Sequence, residues 1–307
     1  MLSMLIAAAI AAAPQTSEVT APGAQGDLAG TMIDAGKDAP LVLIIPGSGP
    51  TDRDGNNSIG KTGTYRMLAD GLAKRGISSV RIDKRGMFGS KAAVADPNQV
   101  RIADYVTDVR SWIWKLRGDD SKKCVWLLGH SEGSLVALAS AQKPDGICGV
   151  VSVSGSGRKL GDTIRAQLRA SPANAPVLDP ALSILDRLEK GTKVPEAEIP
   201  PPLLPLFHPA VQDYLVDLLS QQPQKLAAGL TVPLLIVQGE TDLQTSVEDA
   251  KLLAEAQPKA KLALIPGVNH VLKAAPIDRA ANVAAYRDPA LPIAPAVVTT
   301  IADFVKS

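Results

Sequence analysis

The stretch Val125-Trp126-Leu127-Leu128-Gly129-His130-Ser131-Glu132-Gly133-Ser134-Leu135-Val136-Ala137-Leu138-Ala139 decides how this chain folds. Its apolar start reads as a buried strand and its alanine- and leucine-rich end as a helix, with Gly129-His130-Ser131-Glu132-Gly133 between them. In a G-x-S-x-G turn of this kind, a side chain two positions before or after the serine would clash, so glycine stands at both places. The turn lifts the serine Oγ clear of the sheet and makes Ser131 a candidate nucleophile. The competing reading is an ordinary Gly-rich turn with no chemical duty.

Outward from this turn, short apolar runs alternate with amphipathic stretches. Leu28–Asp34, Leu41–Ile45 and Lys261–Ile265 read as strands, as do residues 77–82, 149–153 and 233–237. Helical spacing occupies residues 65–74, 102–116 and 246–256, the segment after Ser131, and Pro295–Val305. This alternation predicts an α/β fold with a mostly parallel central sheet flanked by helices. The rhythm stops between Arg158 and about Leu230, where helical patches are split by Pro195, Pro200, Pro201, Pro202, Pro205 and Pro209. Prolines at this density cannot serve a sheet ladder. Residues 158–230 therefore read as a helical cap inserted into one core made of residues 27–157 and 231–307, and a cap over a serine site would exclude water and shape the acyl pocket.

Of 307 residues, 46% are apolar, enough for one large core or two modest ones. Lysine plus arginine number 32 against 31 acids, with no basic run, which argues against a nucleic-acid partner. Aromatic content of 3% points to pockets lined by aliphatic side chains. The apolar run at residues 1–13 is too short to span a bilayer and reads as a secretory signal, so an exported, periplasmic or secreted protein is expected. The alternative is a plain N-terminal extension on a cytoplasmic protein. The rest of residues 1–26 reads as a polar linker. Cys124 and Cys148 precede or open two neighbouring parallel strands, at a separation a disulfide could bridge, and two reduced thiols are the equal alternative.

A serine hydroxyl needs a base within reach and a carboxylate to hold that base in the right tautomer. His130 is adjacent to Ser131 and directed away from its Oγ, and His208 lies in the proline-rich insertion. That leaves His270, in a loop directly after the last strand and at the same sheet end as Ser131. For the acid, residues 233–237 run into Gln238-Gly239-Glu240-Thr241-Asp242; Asp242 is favoured and Glu240 is the competitor. Backbone donors to the developing oxyanion would be the amide of Glu132 and that of Ser48 in Pro46-Gly47-Ser48-Gly49-Pro50, with Gly49 as the fallback. The rate should fall at low pH, because imidazolium cannot accept the serine proton.

Ser131 in GHSEG, Asp242 in QGETD, His270 in GVNH and the early loop PGSGPTDRDGN together resemble the α/β-hydrolase superfamily, specifically its bacterial serine esterases with an HGSGPxDRDGN-type loop. The resemblance covers nearly all of the chain after about residue 27. It implies an α/β-hydrolase fold with a helical cap between the sixth and seventh core strands, and hydrolysis of a small or medium acyl ester through an acyl-serine, without metal or organic cofactor. Asp83-Lys84-Arg85-Gly86 is similar to the family's D-x-R-G turn, which makes Arg85 structural; Asp52-Arg53-Asp54 would brace the early loop. Pro46 stands where the family often has histidine, and Met87-Phe88 fills a turn that usually carries another small residue. Thioesterase and aminopeptidase activities share this machinery; a peptidase would need Asp186, Glu189, Glu196 and Glu198 to face inward. A binding module that kept the scaffold without catalysis is the alternative from another class.

Overall fold

The computed structural model describes residues 14–58, 60–120 and 122–307, so the signal-like run at 1–13 lies outside the described residues. Eight strands form one sheet: β1 (Gln15–Ala21), β2 (Leu28–Asp34), β3 (Leu41–Ile45), β4 (Ser78–Ile82), β5 (Val125–His130), β6 (Ile147–Val153), β7 (Leu234–Gly239) and β8 (Lys261–Ile265). Their order is β1-β2-β4-β3-β5-β6-β7-β8. β1, β2 and β4 pair antiparallel, and every pair from β4–β3 through β7–β8 is parallel.

Alternation of side chains along each strand sorts the apolar residues into two layers. Leu43, Leu127 and Ile236 point to one face, with Val109 and Trp112 of α2 (after α1, Thr64–Ala73, α2 is Ile102–Arg117) and Val136 of α3 (Glu132–Ser140). Val42, Leu128 and Val237 point to the other, with Leu68 of α1 and with Val297 and Ile301 near the carboxyl terminus. Strands buried on both faces read as continuous apolar runs, which is why β3, β5 and β7 stand out in the sequence.

The segment between β6 and β7 holds only helices: α4 (Leu160–Ala170), α5 (Leu178–Glu189), α6 (Leu204–Phe207), α7 (Gln212–Ser220) and α8 (Pro223–Ala228), joined by loops and short 3-10 turns. Ile184, Leu185, Leu188, Phe207 and Leu219 form a small core of its own. Ala227 and Leu230, at its end, are buried in the layer that holds α2 and α3, and α8 packs against α9 (Val247–Ala256) and α3. α9, α10 (Arg279–Arg287) and α11 (Pro295–Val305) complete the chain.

The expected polar linker is a correction. Residues 15–21 form the edge strand β1, paired along its length with β2 from Gln15↔Asp34 to Ala21↔Leu28. An exposed edge needs no apolar pattern, and only Ala21 of QTSEVTA is buried. Cys124 and Cys148 form a disulfide with Cα atoms 5.1 Å apart, joining the amino-terminal ends of β5 and β6. Among the described residues no helix is long and apolar enough to cross a membrane.

Candidate active site

The elbow at Ser131 follows from its two glycines. A Cβ on Gly129 would lie 2.0 Å from the carbonyl oxygen of Gly133, and one on Gly133 would lie 2.2 Å from that of Ile45. With that space, the chain turns at Ser131 through φ 55°, ψ −119°, straight into α3. A non-glycine residue in that region costs roughly 1–3 kcal/mol and persists where the surrounding structure fixes it. Here the fixing contact is the Ser131 N–H, which donates to the carbonyl of Val153 at 2.9 Å.

β7 and β8 deliver two more side chains to the same carboxyl end of the sheet. After β8, Gly267 takes φ +66° and the turn closes with the N–H of Asn269 donating to the carbonyl of Lys273 at 3.0 Å, leaving His270 buried. After β7, Asp242 turns back so that His270 Nδ1 and Asp242 Oδ2 are 2.8 Å apart. The other oxygen, Oδ1, accepts from the amides of Gln244 at 2.7 Å and Thr245 at 3.1 Å. Burial alone would raise the Asp242 pKa, but the His270 charge and hydrogen bond, with those two amides, hold it down at about 2. The carboxylate is therefore ionised at neutral pH, and it fixes the proton of His270 on Nδ1, leaving Nε2 as an acceptor. The competitor Glu240 is exposed.

Ser131 and His270 line one cavity of about 270 Å³, together with Ser48, Gly49, Gln244 and Tyr286. Among the described residues neither Ser131 Oγ nor His270 Nε2 makes a hydrogen bond, as is common where such a contact tightens only around a substrate. A second cavity of about 460 Å³ shares Ser48, Gly49 and Ser131 and is lined by Leu135 of α3 and by Leu160, Ile164, Leu206 and Leu215 of the insertion. The amides of Ser48, Gly49 and Glu132 have no protein acceptor among the described residues, whereas the amide of Gly47 is taken by Tyr65 Oη at 2.9 Å.

His130 has a role that its neighbourhood in sequence did not reveal. Tyr65 Oη accepts from Gly47 N–H, donates to His130 Nδ1 at 2.9 Å, and His130 Nε2–H donates to the carbonyl of His270 at 2.8 Å. This buried chain ties the loop after β3 to the loop after β8. Its partners are 65 and 140 residues away in sequence, so no local spacing announces it. Burial, then the neighbouring His270 charge, pushes the His130 pKa from 6.5 down to about 3. Between those values the unfolded chain binds the proton and the folded chain does not, so stability falls as pH falls, by about 1.4 kcal/mol per unit from this group. We expect His130→Gln, which keeps a donor and an acceptor, to flatten the decline in unfolding free energy between pH 6 and pH 4 by that amount per unit. Urea titrations with parallel pH slopes for the two proteins would contradict it.

The remaining charged residues settle into support. Arg85 forks onto Asp108 at 2.7 Å through both Nε and Nη2. Arg53 binds Asp83 at 2.9 Å and Asp54 pairs with Arg81 at 3.2 Å, so the Asp52-Arg53-Asp54 run braces its loop, and Arg53 lines a separate polar hollow away from Ser131. In the insertion, Asp186 and Glu189 bind Arg165, Glu198 binds Arg187, and Glu196 lies 3.9 Å from His208; none of the four carboxylates lines the cavities at Ser131.

A mostly parallel sheet that presents a serine on a strand-to-helix elbow, with a buried aspartate and a histidine on the loops after its last two strands, defines a class of α/β enzyme scaffolds. The chain belongs to the alpha/beta hydrolase family, whose profile matches residues 42–286. It is 27% identical over 266 residues to esterase EstD of Thermotoga maritima, a match covering 84% of this chain and 60% of that protein. The chain thus spans less than two thirds of that relative's length. It is also 25% identical over 229 residues to a monoacylglycerol lipase of Mycolicibacterium smegmatis, covering 68% of this chain and 76% of that one. Among solved structures, an esterase of Pyrococcus furiosus superposes with a TM-score of 0.59 at 18% identity, over 95% of this chain and 92% of that one. Est1E of Butyrivibrio proteoclasticus gives 0.57 at 15% identity, over 94% and 99%. At such identities these two speak for the fold alone.

Proposed function

We propose that this chain is a serine hydrolase that cleaves carboxyl esters with a small or medium acyl group. Ser131 Oγ attacks the ester carbonyl while His270 Nε2 takes its proton, and Asp242 holds the imidazole and stabilises its charged form. The oxyanion is received by the amides of Glu132 and Ser48, with Gly49 beside them. The alcohol leaves with the proton from His270, and water then releases the acyl group by the same steps in reverse. The observation that carries this reading is the 2.8 Å His270–Asp242 contact beside a cavity that His270 shares with Ser131 and with unbonded amides. The names of the two curated relatives, an esterase and a lipase, agree with an ester as substrate.

The two cavities divide an ester at Ser131. The larger carries an aliphatic wall of Leu135, Leu160, Ile164, Leu206 and Leu215 that suits the acyl chain; the smaller, with Thr51, Thr62 and Tyr286, suits the alcohol. In this reading residues 158–230 act as a cap whose side chains set acyl length. Leu206 lines the larger cavity and is 37% exposed, so a bulkier residue there fills space without crowding the insertion's core. We expect Leu206→Trp to lower kcat/KM on p-nitrophenyl octanoate about tenfold relative to the acetate, the scale of one or two lost methylene contacts. Unchanged chain-length profiles would remove the cap from substrate selection. An aminopeptidase is disfavoured because the carboxylates that would hold a substrate amine are engaged on the insertion's surface. Export is part of the proposal, supported by the Cys124–Cys148 disulfide, which persists in oxidising compartments.

A further inference from the structure

We propose that Lys84 is the positioning residue of the oxyanion site, an inference that rests on the serine-hydrolase reading above. Lys84 follows β4 in the turn Asp83-Lys84-Arg85-Gly86, and its side chain is only 4% exposed. Its ammonium lies 5.3 Å from the centre of the Tyr105 ring and makes two hydrogen bonds, both next to candidate oxyanion donors. Nζ donates to the carbonyl of Gly47 at 2.7 Å and to Glu132 Oε1 at 3.1 Å.

The first contact acts through the peptide plane. The carbonyl of Gly47 and the N–H of Ser48 belong to one trans peptide unit, in which they point in opposite directions. Holding the carbonyl on Lys84 therefore aims the Ser48 N–H the other way. Ser48 lines both cavities at Ser131. A cation on the carbonyl oxygen also polarises that peptide and makes its N–H a stronger donor. The second contact holds the side chain of Glu132, whose backbone N–H is the other donor and opens α3. One buried ammonium thus links the two loops whose separation defines the oxyanion site. Tyr65 completes the grip on Gly47 from its N–H side. The position of a transition-state donor matters to within about half an ångström, so a residue that fixes two of them has catalytic consequences without touching substrate.

A merely structural role makes a different prediction. The Glu132 side chain is 3% exposed and Lys84 is its one ion-pair partner among the described residues, so removing Lys84 alone strands a buried carboxylate and destabilises the protein. Removing both charges relieves that penalty. We therefore compare Lys84→Met, Glu132→Gln and the double variant in thermal midpoint, kcat and KM on p-nitrophenyl acetate, and inhibition by a trifluoromethyl ketone that forms a tetrahedral adduct. If Lys84 positions the donors, the double variant recovers the thermal midpoint, yet its kcat stays about 100-fold low with KM within about threefold, and the ketone weakens by a similar factor, the scale of one lost donor. Recovery of both midpoint and kcat in the double variant would overturn the proposal and leave Lys84 as a counter-charge. If Lys84→Met does not fold, the double variant carries the test. Failure of the underlying reading is separate: it would appear as a wild-type protein inert to both ester and ketone.

Discussion

Ser131→Ala and His270→Ala are each expected to lower kcat on a p-nitrophenyl ester by about 10⁶-fold, and the double variant to fall no further. The non-additivity is the informative part. A nucleophile and its base act as one unit, so once either is gone the other has nothing to do. Independent contributions would multiply. The geometry supports a unit: the imidazole of His270 is anchored at 2.8 Å on a buried carboxylate, and its free edge opens on the cavity that Ser131 lines. His130 serves as the internal control. Both of its ring nitrogens are committed, to Tyr65 Oη and to the His270 carbonyl, so His130→Gln should lose far less turnover.

Asp242→Asn is expected to cost about 10⁴-fold in kcat with little change in KM, the loss found where a triad carboxylate becomes an amide. The surroundings of Asp242 dictate why. Its Oδ1 faces two backbone donors, Gln244 N–H and Thr245 N–H, and only an oxygen can sit there. The amide nitrogen of an asparagine is then turned toward His270 Nδ1, now as a donor where an acceptor stood. The imidazole must answer with an unprotonated Nδ1 and carry its proton on Nε2, the atom that should receive the serine proton. Because Asp242 titrates only near pH 2, the loss should be present across pH 5 to 9. A loss confined to low pH, or one below tenfold, would remove Asp242 from the mechanism.

Much of this was legible in the sequence where local physics dominates. β3, β8 and α11 fall on the expected residues because apolar runs and helical spacing are set by which faces are buried. The elbow was legible because its glycines answer a steric demand inside five residues. β1 is hidden in the sequence because an exposed edge strand carries no apolar signal. α10 is hidden for a similar reason, since only Asn282 and Ala285 of its nine residues are buried. The contacts that tie the site together were not legible at all. Lys84 reaches Glu132 across 48 residues and Gly47 across 37, and Tyr65 reaches His130 across 65, so each pairing exists only once the sheet has brought β3, β4 and β5 side by side. A lysine between Asp83 and Arg85 reads as one more surface charge until the fold buries it.

The central claim is that Ser131 is an activated nucleophile. Incubating the protein with a fluorophosphonate probe and mapping the adduct by mass spectrometry tests it most directly, because such reagents modify a serine only where a base has made it reactive. We predict one adduct, on the peptide that carries Ser131, and none in Ser131→Ala. A folded protein that takes up no label, or one labelled on a different serine, would contradict the account.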